Sequence, residues 1–292
     1  MKKAYIMTLA ALMILGCNKI ENPIVTDNGI MRFNVEYPIT KATETAFEAG
    51  DKIGVYITGY ENDKPLALQL GGNYKNNIPI IFDGSQWVAT PTIYWSGGKY
   101  DVFAYYPLGT PSSVNEMTFS IALDQTIEET DNTLSAYEAS DFLYAFKKGV
   151  TANDGSVDLQ FKHKMSKFTV NIIKGEDFEG NIPSEMTVLI HNTVTGSLID
   201  LATGDIVKAP YESAKTIRAK RVSSSQYTAI VVPQMLTSKK PLVELIFNDV
   251  SYMIESKFHF KTGVHHTLNI TLNKNPDKVK IEIGGEIDNG WE

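Results

Sequence analysis

Cysteine is nearly absent from this chain. Its 292 residues hold a single one, Cys17, so no disulfide can close within the chain. Positive charge is in deficit. Lys and Arg number 27 against 34 Asp and Glu, and the net charge of -7 leaves no electrostatic footprint for nucleic acid. No apolar run approaches the ~20 residues that a membrane-spanning helix needs. At 21% charged and 43% hydrophobic residues the composition is that of a globular chain and not a disordered one. Aromatics are plentiful instead, with 14 Tyr, 13 Phe and 3 Trp.

Catalytic signatures are missing too. There is no G-x-S-x-G elbow, H-E-x-x-H pair, P-loop or G-x-G-x-x-G turn. His259 and His265 flank the Thr262-Gly263 turn, and His266 would face the other way, with no carboxylate placed to complete a metal site. His163 shares a strand face with Phe161 and Met165, which reads as a structural histidine. Asn153 to Asp158 offers oxygens like part of a calcium loop, but it lacks the distal Glu and reads as a turn. The expectation is no enzyme, no cofactor and no metal.

The N-terminus points to export. Met1-Lys2-Lys3 is basic, Ala4 to Leu15 is almost wholly apolar, and Gly16-Cys17 follows. These are the three regions of a secretory signal peptide. Ile14-Leu15-Gly16-Cys17 resembles a bacterial lipobox, which would make Cys17 the acylated first residue of the mature chain. Each buried CH₂ of an acyl chain adds ~0.8 kcal/mol of membrane affinity, so several chains anchor stably.

After a polar tether, period-two alternation recurs along the chain. Met31 to Tyr37 is a clean strand with Met31, Phe33, Val35 and Tyr37 on one face. Tyr100 to Tyr106, Val157 to Phe161, Phe168 to Ile172, Leu268 to Leu272 and Val279 to Ile283 alternate as well. Tyr227 to Val232 and Leu242 to Phe247 are more continuously apolar, as strands covered on both faces would be. Leu134 to Phe146 lacks Gly and Pro and reads as the one helical candidate. Many short strands between Gly-, Asn- and Asp-rich turns predict an all-β fold built from β-sandwiches. The turn-rich stretch around Lys147–Ser156 predicts the domain boundary. The expected organisation is a signal peptide over 1–16, a tether over 17–29, an N-terminal sandwich over 30–152 and a C-terminal one over 153–292.

Several motifs then occur in a fixed order. Gly50-Asp51-Lys52-Ile53-Gly54-Val55-Tyr56 follows Thr40-Lys41-Ala42, and Ile93-Tyr94-Trp95 precedes Tyr100 to Pro107. Ser140 to Ala145, Leu159 to Lys167, Val231-Val232-Pro233-Gln234 and Phe260-Lys261-Thr262-Gly263 complete the series. Their order and spacing resemble the fimbrillin-like family, lipoprotein precursors of type V pili, from about residue 30 to 272. The resemblance implies two tandem transthyretin-like β-sandwich domains and no enzymatic activity. It also implies lipidation, delivery to the outer membrane, and cleavage by a trypsin-like protease in the loop after the first strand. Lys41-Ala42 stands where the family usually carries Arg-Ala. Removing the first strand would open an apolar groove for a strand of another pilus subunit, in an extracellular fimbria that serves adhesion. In shaft subunits the C-terminal strand swings out as donor, and Val279, Ile281 and Ile283 alternate suitably, with Gly284-Gly285 as a hinge or bulge. The competing expectation is a monomeric outer-membrane lipoprotein that binds glycans through the aromatics of Trp87 to Tyr106.

Overall fold

The computed structural model describes residues 29–38, 46–130, 133–183, 185–275 and 280–287. In chain order the first strands are β1 (Arg32–Glu36), β2 (Lys52–Glu61), β3 (Lys64–Pro65), β4 (Lys75–Phe82), β5 (Trp87–Ala89), β6 (Tyr100–Tyr106) and β7 (Met117–Ser120). Then come β8 (Leu143–Val150), β9 (Ser156–Gln160), β10 (Lys162–His163), β11 (Ser166–Lys174), β12 (Thr187–Thr193), β13 (Gly196–Asp200) and β14 (Asp205–Lys208). The last are β15 (Lys215–Arg218), β16 (Lys220–Ser223), β17 (Gln226–Val231), β18 (Gln234–Phe247), β19 (Val250–Phe260), β20 (His265–Leu272) and β21 (Lys280–Ile287). The protein is nearly all-β, as its turn density and alternation predict.

Four sheets carry these strands. The largest runs β10-β8-β6-β2-β4-β5-β1-β9, with β3 appended to β2. A second runs β16-β17-β11-β20-β21, a third β15-β12-β18-β19 and a fourth β14-β13-β7. One core cluster lies within the first sheet, where Ile53, Val55, Ile57, Val102, Ala104 and Leu143 meet Phe33, Val157 and Leu159. The other face of β2, β6 and β8 presents Tyr56, Phe103, Tyr105 and Tyr144 to a second cluster. That cluster is continuous with Phe168, Val170, Ile190, Leu245 and Leu268 of the later sheets. Central strands therefore bury both faces, and β6 is buried at every position. β17 is buried from Tyr227 through Val231, as its largely apolar run predicts. Gly54 in β2 is dictated by packing: a Cβ there would lie 2.4 Å from Cε1 of the Tyr105 ring.

One expectation gives way. Leu134 to Phe146 is not a helix; it contains one 3₁₀ turn, Glu138–Ser140, and then enters β8. Around the start of β8 the buried residues alternate between two cores, Phe142 and Tyr144 in one and Leu143 and Ala145 in the other, which is a two-residue period. The expected boundary at 152/153 lies between strands of one sheet. β9 pairs with β1 and β10 pairs with β8, so the first sheet extends through His163. The polar stretch before β9 is a surface turn, Ala152–Asp154, closed by a capping box between Thr151 and Asp154.

Candidate functional site: the first strand and its slot

β1 lies inside a sheet, not at its rim. On one side it pairs in parallel with β9, from Arg32 opposite Ser156 to Glu36 opposite Gln160. On the other side it pairs antiparallel with β5 through Phe33 opposite Trp87. Just before it, the Met31 N–H donates to the Ile93 carbonyl at 2.8 Å, and Trp95 N–H donates to Gly29 at 2.6 Å.

The alternation in the sequence becomes an inner and an outer face. Met31 is 2% exposed and Phe33 5%, while Val35 and Tyr37 are half-buried against the same core. Arg32, Asn34 and Glu36 face outward. There the Asn34 side-chain amide donates to Ser156 Oγ at 2.9 Å and Asp158 Oδ1 at 2.8 Å, and Gln160 donates to Glu36 at 3.2 Å. Tyr37 meets Phe47 edge-on at 5.0 Å between ring centroids and His163 at 5.8 Å.

Cys17, Lys41, Ala42 and Val279 lie outside the described residues. Ile281 and Ile283 belong to β21, which pairs antiparallel with β20 at the edge of its sheet, with a register shift opposite His266/Leu268. They are 40% and 56% exposed, so about half of each residue is uncovered. Gly284 permits a close approach there, since a Cβ would meet Thr267 Cβ at 2.9 Å.

The aromatic stretch does not form a surface platform. Tyr100, Tyr105 and Tyr106 are buried, and their hydroxyls are bound by Gly97, by Asn77 and Gly109, and by Asp51. Burial raises the phenols of Tyr105 and Tyr106 well above the usual range. Of its aromatic side chains, Tyr94 alone is more than half exposed.

The histidines hold structural positions. His163 is buried and its Nδ1 lies 2.8 Å from Asp141 Oδ2. His265 Nε2 is 2.8 Å from Thr169 Oγ1, and His266 Nε2 accepts from the Lys261 N–H at 3.1 Å. Sequence reasoning placed His163 on its face but missed Asp141 as its partner. The two motifs that contain them offered the signal. It also missed Gln125, whose fully buried amide donates to the Ile230 carbonyl and accepts from the Ile230 N–H, both at 2.8 Å. That side chain extends the ladder of β17 where β16 has ended.

The sequence profile of the fimbrillin-like family matches residues 40–291. A Bacteroides ovatus protein named as a candidate fimbrium tip subunit is 26% identical over 203 residues, covering 59% of this chain and 36% of that protein. The match thus spans little over a third of that relative's length. A Bacteroides uniformis protein named as a candidate fimbrium subunit is 26% identical over 222 residues, covering 70% of this chain and 69% of that protein. Among solved structures, a candidate cell adhesion protein from Bacteroides ovatus superposes with a TM-score of 0.66 at 20% identity, over 90% of this chain and 97% of that one. At that identity the likeness concerns the fold. The chain belongs to the fimbrillin-like family.

Proposed function

We propose that this chain is a structural or tip subunit of a cell-surface pilus that serves adhesion, assembled by proteolysis-triggered strand exchange. One observation carries the reading: β1 seats Phe33 in a slot between β5 and β9, with only a single register pair to β5, and Met31 just before it is buried too. Burying two such side chains contributes roughly 3–6 kcal/mol, so a vacated slot has a strong demand for a substitute strand. Main-chain hydrogen bonds and alternate side-chain pockets suit an extended donor. A head-to-tail contact of this kind propagates a filament instead of closing a ring.

In this reading acyl chains on Cys17 hold the precursor at the outer membrane, and a trypsin-like protease cuts between Lys41 and Ala42 to release β1. The donor is the C-terminal segment with Val279, Ile281 and Ile283. The exposure of Ile281 and Ile283 supports it, because apolar side chains that stay partly in solvent hold a strand less firmly. The partners are other pilus subunits, and the mature form resides in the extracellular fimbria. The protein performs no catalysis.

The test is N-terminal sequencing of fibres recovered from the cell surface, joined to light scattering of the trimmed chain. The expected result is an N-terminus at Ala42 and a polymer. Fibres whose subunits begin at Cys17, or a trimmed chain that stays monomeric, would overturn the reading.

A further inference from the structure

β1 leaves a directional imprint on its neighbours. Parallel and antiparallel ladders space their hydrogen bonds differently, so a strand that restores the bonds of β1 to β9 runs parallel to β9, as β1 does. The imprint has two faces. Inside are the buried seats of Met31 and Phe33 and the half-buried seats of Val35 and Tyr37. Outside, on β9, Ser156 stands opposite Arg32, Asp158 opposite Asn34 and Gln160 opposite Glu36. Asp158 and Ser156 accept from the Asn34 amide, and Gln160 donates to Glu36. A fitting occupant has apolar residues at alternate positions and no carboxylate opposite Asp158.

β21 reads Lys-Ile-Glu-Ile-Gly-Gly-Glu-Ile from Lys280 to Ile287. A slip by one residue would turn Ile281 and Ile283 outward, so only even shifts fit the slot. With Ile281 in the seat of Met31, Ile283 takes that of Phe33 and Ile287 that of Tyr37. Gly285 then falls at Val35, where water already reaches part of the seat. Gly284 falls opposite Asp158, and Glu286 falls opposite Gln160, in the place of Glu36.

The neighbouring registers are worse for physical reasons. Moved on by two residues, Ile281 would take the seat of Phe33 and Glu282 would face Asp158, and like charges directly opposite destabilise a strand pair. Moved on by four, Asp277 would enter the apolar seat of Met31, where a carboxylate is costly to bury. Moved back by two, Gly285 would leave the buried seat of Phe33 empty.

We propose, building on the strand-exchange reading, that a second copy of this chain fills the slot with β21 in the first of these registers. Ile281, Ile283 and Ile287 replace Met31, Phe33 and Tyr37, and Glu286 takes over the bond from Gln160. The outer face thus selects the occupant together with the inner one: charge at Asp158 refuses the register that apolar alternation alone would also allow.

The experiment starts from the folded full chain, trims it with trypsin, lets fibres form and reads disulfide links on non-reducing gels. Trimming between Lys41 and Ala42 removes Cys17, the single native cysteine, so only introduced thiols can pair. Gln160→Cys with Glu286→Cys should turn the fibres into a ladder of covalently linked subunits, since residues opposite each other in a strand pair lie within disulfide reach. Ser156→Cys with Lys280→Cys marks the register moved on by two and should give no ladder; both pairs leave Asp158 and Glu282 in place. Should the first pair assemble poorly, Ser156→Cys with Glu282→Cys, opposite each other in the same register, takes its place. A ladder from the Lys280 pair, or fibres that neither expected pair links, would overturn this register and leave strand exchange standing. No fibre from the trimmed chain without introduced cysteines would sink strand exchange, and the register with it.

Discussion

Phe33 of β1 stands opposite Trp87 of β5, and theirs is the single register pair on that side of the strand, while five pairs join β1 to β9 on the other. The strand is thus held asymmetrically: by backbone toward β9, by side chain toward the core. Its removal would leave β5 and β9 facing each other across an empty position lined by apolar groups.

Phe33→Ala should reveal how much of the sheet leans on that side chain. A buried aromatic cut to a methyl costs about 3–5 kcal/mol, and urea unfolding should show that loss. Asn34→Ala, on the outer face of the same strand, should cost under about 1 kcal/mol, because its partners Ser156 and Asp158 remain solvated. Equal losses for the two would mean that β1 is not seated by its inner face.

Lys41→Ala should abolish release of β1 by a trypsin-like protease. Mass spectrometry after exposure to trypsin checks it. Continued appearance of a fragment that begins at Ala42 or close after it would separate trimming from Lys41.

Gln125→Ala should destabilise the protein by about 2–4 kcal/mol, measured by chemical denaturation. It strips partners from both the N–H and the carbonyl of Ile230, deep in β17, and a buried unpaired group costs about 1–3 kcal/mol. Gln125→Glu should cost at least as much, because it buries a carboxylate whose second oxygen faces the Ile230 carbonyl.

Gly54→Ala should cost about 1–3 kcal/mol by overpacking, since the new methyl would lie 2.4 Å from the Tyr105 ring and 2.7 Å from Asn77 Oδ1. Thermal melts of the purified variant test it. A neutral result would show that the Tyr105 ring can shift.

The pH dependence has a definite sign at Glu244. Its carboxylate accepts from Ser251 Oγ and pairs with His191, and the Ser251 bond leads the causes that lower its pKa below 4.5. A lowered folded value means stability that is present above 4.5 and lost as pH falls through the folded value. Glu244→Gln should therefore flatten the acid side of the melting-temperature profile. Asp51, raised above 3.8, acts the other way, and its share of stability declines as pH rises through its folded value.

The strand positions were legible because side-chain alternation is a local property. Met31-Arg32-Phe33 writes inner, outer, inner into three consecutive residues, and the two-residue period needs no knowledge of the partner. Leu134 to Phe146 misled because its apolar spacing suits either period, and only the two cores around Phe142 and Leu143 select the strand.

What the sequence by itself determined was the all-β class, the inner face of β1 and the family, all of which reside in short-range order and composition. Tertiary structure alone decided that β1 runs parallel to a strand more than 120 residues away, that the first sheet continues to His163, and that Asp141, Asp51 and Glu138 share one cleft. Register between distant strands is set by which apolar faces can be covered together, and that sum is taken over the whole chain at once, not over any window of it.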